Sequence, residues 1–144
     1  MNDTRADRFR DLGLLVLRLG VGAAYVLIHG RPKLFAGPER WERLGGAMST
    51  FGIEFWPTFW GFVAAFAEFF GGLCVVLGLF FRPACLLLFL TMFVATSRHL
   101  AGGDGWGGSA HSLKMLFVFA GLTGIGPGRY SLDALWKRRR GPLG

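Results

Sequence analysis

Four long apolar runs constrain the fold of this chain more than any other feature. They cover residues 12–30, 58–81, 83–99 and 112–126. At helical rise the first run is about 28 Å long, which matches the hydrocarbon core of a bilayer. The chain is 52% hydrophobic and only 17% charged, so it has too few polar side chains to cover a soluble core. We therefore predict a single all-α domain over residues 1–144, an integral membrane four-helix bundle.

The lengths and charges of these runs predict their placement in the membrane. The last two are short, about 21–26 Å, so we expect them to borrow flanking residues or to lie in thinner membrane. An even number of crossings places both termini on the same side of the membrane. That side would hold nine of the 16 Lys and Arg residues, including those of the tail at 127–144. The positive-inside rule therefore predicts cytoplasmic termini in a multi-pass protein of the bacterial cytoplasmic (inner) membrane. The net charge of +7 accompanies no groove-reading or base-stacking motif, so the expected partner is the lipid bilayer and not nucleic acid.

The first outer loop contains a short amphipathic segment at about residues 38–50. Trp41, Leu44 and Met48 fall on one helical face, opposite four charged residues. Trp41 also belongs, with Trp60, to the tryptophans that mark the predicted outer boundary of the membrane. We predict an interfacial helix that covers the outer mouth of the bundle.

Two ionisable residues lie deep inside the apolar runs. Counted from the outer helix ends, Arg18 lies about 18 Å and Glu68 about 15 Å deep at helical rise. Because the first two helices are antiparallel neighbours, we predict an ion pair between them, which would reduce the cost of each charge in hydrocarbon. The pair either holds the scaffold by fixing the helix register or handles protons, in which case Glu68 and Arg18 are the catalytic residues. Gly71 and Gly72, just below the carboxylate, allow a neighbouring helix to approach closely.

Five further polar residues gather at the predicted outer ends of the helices. They are His29, Lys33, His99, His111 and Lys114. Imidazole can donate to or accept from a quinone carbonyl and lysine can stabilise the reduced anion, so this edge is a candidate site for a quinone headgroup. The alternative is that each histidine only hydrogen-bonds loop carbonyls in the headgroup layer. Whether the three histidines converge depends on how the helices pack.

Metal and haem ligation have little support in the sequence. No HxxxH or HxH pair is present, and the histidines belong to three different helix ends. Cys74 and Cys85 lie inside apolar runs and form no CxxC pair, so we interpret both as small buried hydrophobic residues. The sequence therefore predicts neither a metal centre nor a thiol-oxidising site.

Four stretches of the sequence match one family pattern in order and spacing. They are LRLGVGAAYVLIHGRPKL at 17–34, AEFFGGLCVVLGLFFRPA at 67–84, Arg98-His99 at the end of the third run, and GPGRYSLD at 126–133. Over about residues 12–135 the chain resembles the DoxX family of small bacterial and archaeal membrane proteins. The resemblance implies a four-helix membrane protein. Some relatives are subunits of thiosulfate:quinone oxidoreductase, and others are associated with redox stress or with detoxification of quinones and catechols.

The resemblance also selects residues. The polar positions of the family pattern match Arg18, His29, Lys33, Glu68 and His99. Relatives often place a carboxylate near the start of the fourth helix, where this chain has His111 and Lys114. The chain therefore departs from the family pattern at that helix.

The leading hypothesis is a membrane subunit of a quinone-linked oxidoreductase or redox-stress system. Because the chain has no nucleotide-binding fingerprint, electrons would come from a redox partner protein or a bound cofactor. The first alternative is a small proton-coupled transporter that works as a homodimer through Glu68. The second is a non-catalytic assembly or stabilising subunit, in which the polar cluster is purely structural.

Overall fold

The computed structural model describes residues 4–140. Their regular secondary structure is helical, and no strand is present among them. Helix α1 (Arg5–Ala24) continues through a π-helical turn (Tyr25–Gly30) into the short helix α2 (Arg31–Leu34). Helix α3 (Pro38–Gly45) follows after a brief turn. The predicted all-α class is confirmed.

The second part of the chain contains the remaining helices. A 3-10 helix (Gly46–Phe51) leads to three helices of 21 residues each, α4 (Pro57–Leu77), α5 (Phe81–Ala101) and α6 (Gly105–Ile125). A last helix, α7, covers Leu132–Arg140. The continuous segment from α1 to α2, helix α4 and helix α5 are each long and apolar enough to cross a membrane. These helices agree with the predicted membrane protein, whereas a fourth crossing by α6 and cytoplasmic termini stay predictions.

The helices begin earlier than the apolar runs predict. Helix α1 begins at Arg5 because Thr4 and Asp7 form a capping box, in which the Thr4 hydroxyl accepts from the Asp7 backbone N–H. Helix α6 begins at Gly105, so its first two turns are polar and rich in glycine. Gly105 has a φ of 63°, a backbone feature that hydropathy does not register. The expectation that the short last runs borrow flanking residues is confirmed.

Glycines bring α1, α4 and α5 into close contact near the middle of the bundle. A Cβ atom at Gly72 would lie 2.9 Å from Tyr25 Cβ and 3.1 Å from Gly22 O. A Cβ atom at Gly71 would lie 3.1 Å from Leu88 Cγ. The backbones of α1 and α4 therefore touch, as the glycine pair in the second run predicts.

Helix α3 packs firmly on α4. A Cβ atom at Gly45 would collide with the Pro57 carbonyl, and one at Gly61 would collide with the Trp41 carbonyl. The Trp41 indole Nε1 donates to the Lys33 carbonyl at 2.9 Å, which ties α3 to α2 as well. The predicted short helix is thus present over one end of the bundle, and its location at a membrane interface stays a prediction.

The hydrophobic core lies between α1, α4, α5 and α6. Its largest buried side chains are Tyr25, Val75, Phe81, Leu88, Met92, Phe119 and Leu122. Cys85 belongs to this core, Cys74 packs partly against it, and both are free thiols. Large apolar residues also cover the outside, for example Val16 and Phe117, as expected for helices that contact lipid.

Candidate functional site

Arg18, the buried cation of α1, is bound by backbone carbonyls. Its Nε donates to Val75 O at 3.1 Å and its Nη2 to Val76 O at 2.9 Å. Its Nη1 donates to Pro127 O at 2.9 Å and to Tyr130 O at 2.8 Å. The residue is only 1% exposed. These four bonds tie α1 to the last turn of α4 and to the loop before α7.

The predicted ion pair between Arg18 and Glu68 is wrong. The first helical segment extends to Leu34, so Arg18 lies about 24 Å from that end at helical rise. Glu68 lies only about 16 Å from the Pro57 end of α4. The guanidinium therefore falls level with the last turn of α4, where helical carbonyls lack partners within the helix and accept its bonds. This geometry gives Arg18 a structural role and leaves Glu68 to another partner.

Glu68 pairs with Lys33. Lys33 Nζ donates to Glu68 Oε1 at 2.8 Å and lies 2.6 Å from Oε2. The Glu68 side chain is 4% exposed and that of Lys33 is 23% exposed, so water screens the pair only weakly. Lys33 reaches the carboxylate because the π-helical turn Tyr25–Gly30 and α2 carry the first segment past its apolar run. Such π-helical turns are frequent at functional sites.

The ion pair borders a cavity of about 520 Å³, which we call the Lys33–Glu68 cavity. Helices α3, α4 and α5 and the 3-10 helix enclose it. Besides the pair, its polar lining residues are Arg43, Trp60, Thr91, Arg98 and His99. Its apolar lining residues include Val63, Leu87, Leu90 and Val94. The volume lies in the range of small-ligand sites, which combine mostly apolar walls with a few polar groups.

Most polar groups of this cavity are hydrogen-bond donors. The indole Nε1 of Trp60 is buried and has no acceptor among the described residues. Arg43 and Arg98 are exposed, and neither forms an ion pair in the described part of the chain. Together with Lys33 they outnumber the carboxylate of Glu68. A ligand with a carbonyl or anionic oxygen fits this donor set, because it would supply the acceptor that the buried N–H lacks.

The three histidines do not form one site. His29 stacks on His111 with ring centroids 4.8 Å apart, and its ring lies 5.1 Å from that of Tyr25. This pair joins the π-helical turn to α6. His99 Nδ1 instead lies 2.7 Å from Asp104 Oδ2, and His99 lines the Lys33–Glu68 cavity. Equal depth does not determine on which side of its helix a residue lies. The packing of the helices brings together two of the three histidines, His29 and His111.

The predicted quinone-binding residues are therefore divided between two places. Lys33 and His99 line the Lys33–Glu68 cavity. The residues outside its lining are His29, His111 and the exposed Lys114. Among the described residues, no group of three or more His, Cys, Asp or Glu side chains is placed to hold a metal ion.

Several polar lining residues were not selected from the sequence, among them Trp60 and Arg43. Trp60 was interpreted as an interfacial aromatic, and Arg43 as part of the charged face of the amphipathic helix. Trp60, Ala64 and Glu68 follow one another at intervals of four residues and so share one face of α4. That spacing could have shown that Trp60 lies above the carboxylate. No comparable signal was available for Arg43, because its position depends on how α3 packs.

Comparisons with known proteins identify a family for this chain. Neither the curated proteins nor the solved structures contain a match to the chain. The family model DoxX matches residues 13–100. The matched part contains Lys33, Trp60, Glu68 and His99, and it ends before α6. Because the match covers more than half of the sequence, the chain belongs to the DoxX family of membrane proteins.

Proposed function

We propose that this DoxX-family membrane protein binds a quinone headgroup in the Lys33–Glu68 cavity, as a membrane subunit of a quinone-linked oxidoreductase or redox-stress system. The observation that supports the proposal is a buried carboxylate paired with a half-buried lysine, beside a mostly apolar cavity of about 520 Å³. The unpartnered Trp60 N–H adds a second donor to the same space. Both donors suit the carbonyl oxygens of a quinone, and the apolar walls suit its ring.

The proposed chemistry is the reduction of a quinone to a quinol. Two electrons come from a redox partner protein or from a bound cofactor. Lys33 and Trp60 donate hydrogen bonds to the quinone oxygens, and Lys33 stabilises the negative charge that develops there. Lys33 passes one proton to the reduced oxygen and solvent supplies the other. Glu68 then stabilises Lys33 as it takes up a new proton from solvent.

The membrane setting of the proposal follows the positive-inside rule. Helix α6 makes a fourth crossing, both termini are cytoplasmic, and the protein lies in the bacterial cytoplasmic membrane. The Lys33–Glu68 cavity then opens at the outer edge of the bilayer, where a quinone headgroup can enter from the lipid between α4 and α5. Helix α3 covers this entrance, since its Arg43 and Leu44 line the cavity.

The alternatives receive less support from the geometry. A homodimeric proton-coupled transporter needs a carboxylate that is open to its substrate, whereas Glu68 is held by Lys33 at 2.8 Å. A non-catalytic assembly subunit needs no ligand cavity. The two alternatives therefore separate from the proposal in a binding experiment.

The experiment measures the binding of soluble ubiquinone and menaquinone analogues to the purified protein by quenching of tryptophan fluorescence. We expect saturable binding that Lys33→Met weakens at least tenfold and that Lys114→Met leaves unchanged. Both substitutions remove a lysine, but only Lys33 lines the cavity. Absence of saturable binding with both analogues would remove the proposal, and so would equal losses in the two folded variants.

A further inference from the structure

A second opening lies at the other end of α4, and we call it the basic groove. Its volume is about 470 Å³. Its apolar wall includes Leu19, Leu77 and Leu132, and two basic residues, Arg129 and Arg138, also line it. These residues come from α1, the end of α4, α7 and the loop before α7. The proposed quinone chemistry uses none of them.

The leucines of the basic groove lie on the outer surface of the bundle. Leu19, Leu77 and Leu132 are 46%, 41% and 40% exposed. They belong to three different helices, so the apolar surface extends across the junction between these helices. It is therefore not simply the lipid-facing side of a single helix. The junction lies where the membrane-spanning helix α4 ends, which is the level at which acyl chains meet their headgroups.

The basic side chains give this junction a positive charge. Arg138 is exposed and forms no ion pair in the described part of the chain. The Arg129 guanidinium lies 5.7 Å from the centre of the Tyr130 ring, beside the groove. Arg18 also lines the groove, although four backbone carbonyls already accept its hydrogen bonds. No carboxylate is among the described residues that line the groove.

We propose that the basic groove binds an anionic phospholipid, with its phosphate between Arg129 and Arg138 and one acyl chain along the leucines. Both parts of the ligand are needed. A free phosphate would leave the leucines uncovered, and a neutral lipid would bring no net charge to the arginines.

The bound lipid would join α7 to the rest of the bundle. The Trp136 ring of α7 lies 6.1 Å from that of Phe80, and hydrogen bonds attach α7 at its first turn. There Asp133 accepts from the backbone N–H groups of Phe80 and Phe81 at 3.0 and 2.9 Å, and Ser131 caps the helix by accepting from Ala134 N at 3.2 Å. A lipid that contacts Arg138 would hold the following turns as well. This inference does not depend on the proposed quinone function.

The test is native mass spectrometry of the purified full chain in non-ionic detergent, with equal amounts of phosphatidylglycerol and phosphatidylcholine. We expect the protein to retain phosphatidylglycerol preferentially. Arg138→Gln should lower that retention about fivefold, whereas the control Arg139→Gln, which removes the same charge from the neighbouring position outside the groove, should not. Equal retention of both lipids, or equal losses in the two variants, would overturn the proposal.

Two further experiments distinguish lipid binding from the binding of a simple anion and from an effect of misfolding. Inorganic phosphate in excess should not displace the bound lipid, and displacement would show that the acyl chain contributes nothing, which contradicts the proposal. Leu19→Asn should lower the retention of long-chain phosphatidylglycerol, because it removes an exposed part of the apolar wall. Circular dichroism should show unchanged helix content in each variant, and Leu19→Asn with full retention would also count against the groove.

Discussion

Arg18 and Glu68 are both buried charges of the helical bundle, yet their surroundings differ. Arg18 donates to four backbone carbonyls from α4 and from the loop before α7. Glu68 has one ion-pair partner, Lys33, and lines a cavity. A side chain that bonds several backbone segments can change its contacts only if the fold opens. A carboxylate with one side-chain partner can rearrange when a ligand enters, so the comparison separates a structural centre from a candidate site.

The largest expected effect comes from Arg18→Met, which tests the structural centre. The variant loses hydrogen bonds from a buried charged group to four backbone carbonyls, so we expect the free energy of unfolding to fall by more than about 3 kcal/mol. Thermal unfolding in detergent measures the loss. Arg82→Met is the control, since Arg82 is exposed and makes a single bond of 3.4 Å to Gly124 O.

The comparison would fail if Arg18→Met and Arg82→Met were equally stable. It would also fail if the folded fraction of Arg18→Met lost the binding of a quinone analogue. The first result would deny the structural role, and the second would place Arg18 in the ligand site.

The second prediction concerns the Lys33–Glu68 pair. Lys33→Met leaves a buried carboxylate without its cation, and we expect a loss of about 2 kcal/mol in the free energy of unfolding, moderated because Lys33 is 23% exposed. Adding Glu68→Met should restore most of this loss, since apolar groups of similar volume can replace a buried ion pair at little cost. Quinone-analogue binding should be at least tenfold weaker in both variants.

A double variant as unstable as Lys33→Met alone would contradict this expectation. The pair would then hold the fold in the way that Arg18 does. Chemical denaturation of the single and double variants in the same detergent gives the coupling free energy directly.

The different predictability of the two centres has a physical cause. Hydropathy revealed the helices, because an apolar run of membrane length has few alternative structures. It ended the first helical segment too early, however, and so made Arg18 too shallow. Depth alone then suggested Arg18 as the partner of Glu68. The true partner, Lys33, lies beyond the first apolar run, and only the π-helical turn and α2 bring it over the carboxylate. A hydropathy profile does not predict a π-helical turn.

The site was therefore predictable in part. Glu68 stood out because ionisable groups are rare inside membrane helices. Lys33 and His99 stood out because they lie at the same predicted level, at the outer helix ends. The sequence left open whether the histidines converge, because the answer requires the rotation of each helix about its axis. This rotation depends on close helix contacts such as that of Gly72 with Tyr25. The family resemblance, in contrast, is confirmed over residues 13–100.

The third prediction concerns Trp60, whose buried N–H has no acceptor among the described residues. Trp60→Phe should leave the free energy of unfolding nearly unchanged, because no protein hydrogen bond is lost. It should weaken quinone-analogue binding about fivefold, the cost of one hydrogen bond of about 1 kcal/mol. Isothermal titration calorimetry measures the binding, since one fluorescent reporter is removed.

Trp41→Phe is the matched control for Trp60. The Trp41 N–H donates to Lys33 O at 2.9 Å, so this substitution should cost about 1 kcal/mol of stability. The reverse outcome, with Trp60→Phe unstable and binding unaffected, would assign Trp60 to the scaffold and would leave Lys33 as the main donor of the cavity.

The smallest effect is expected at His29, which shares the predicted depth of the site but lies outside the cavity lining. His29→Ala removes the ring contacts with His111 and Tyr25, so we expect a loss of about 1 kcal/mol in stability and unchanged quinone-analogue binding. His99→Ala removes a cavity-lining ring and should weaken binding severalfold. If His29→Ala weakened binding as much as His99→Ala does, depth would matter more than contact with the cavity, and the stacked histidines would belong to the site. If only His99→Ala weakens the binding of the quinone analogue, the binding site is the cavity that His99 shares with Glu68, because only groups that line this cavity can contact a ligand there.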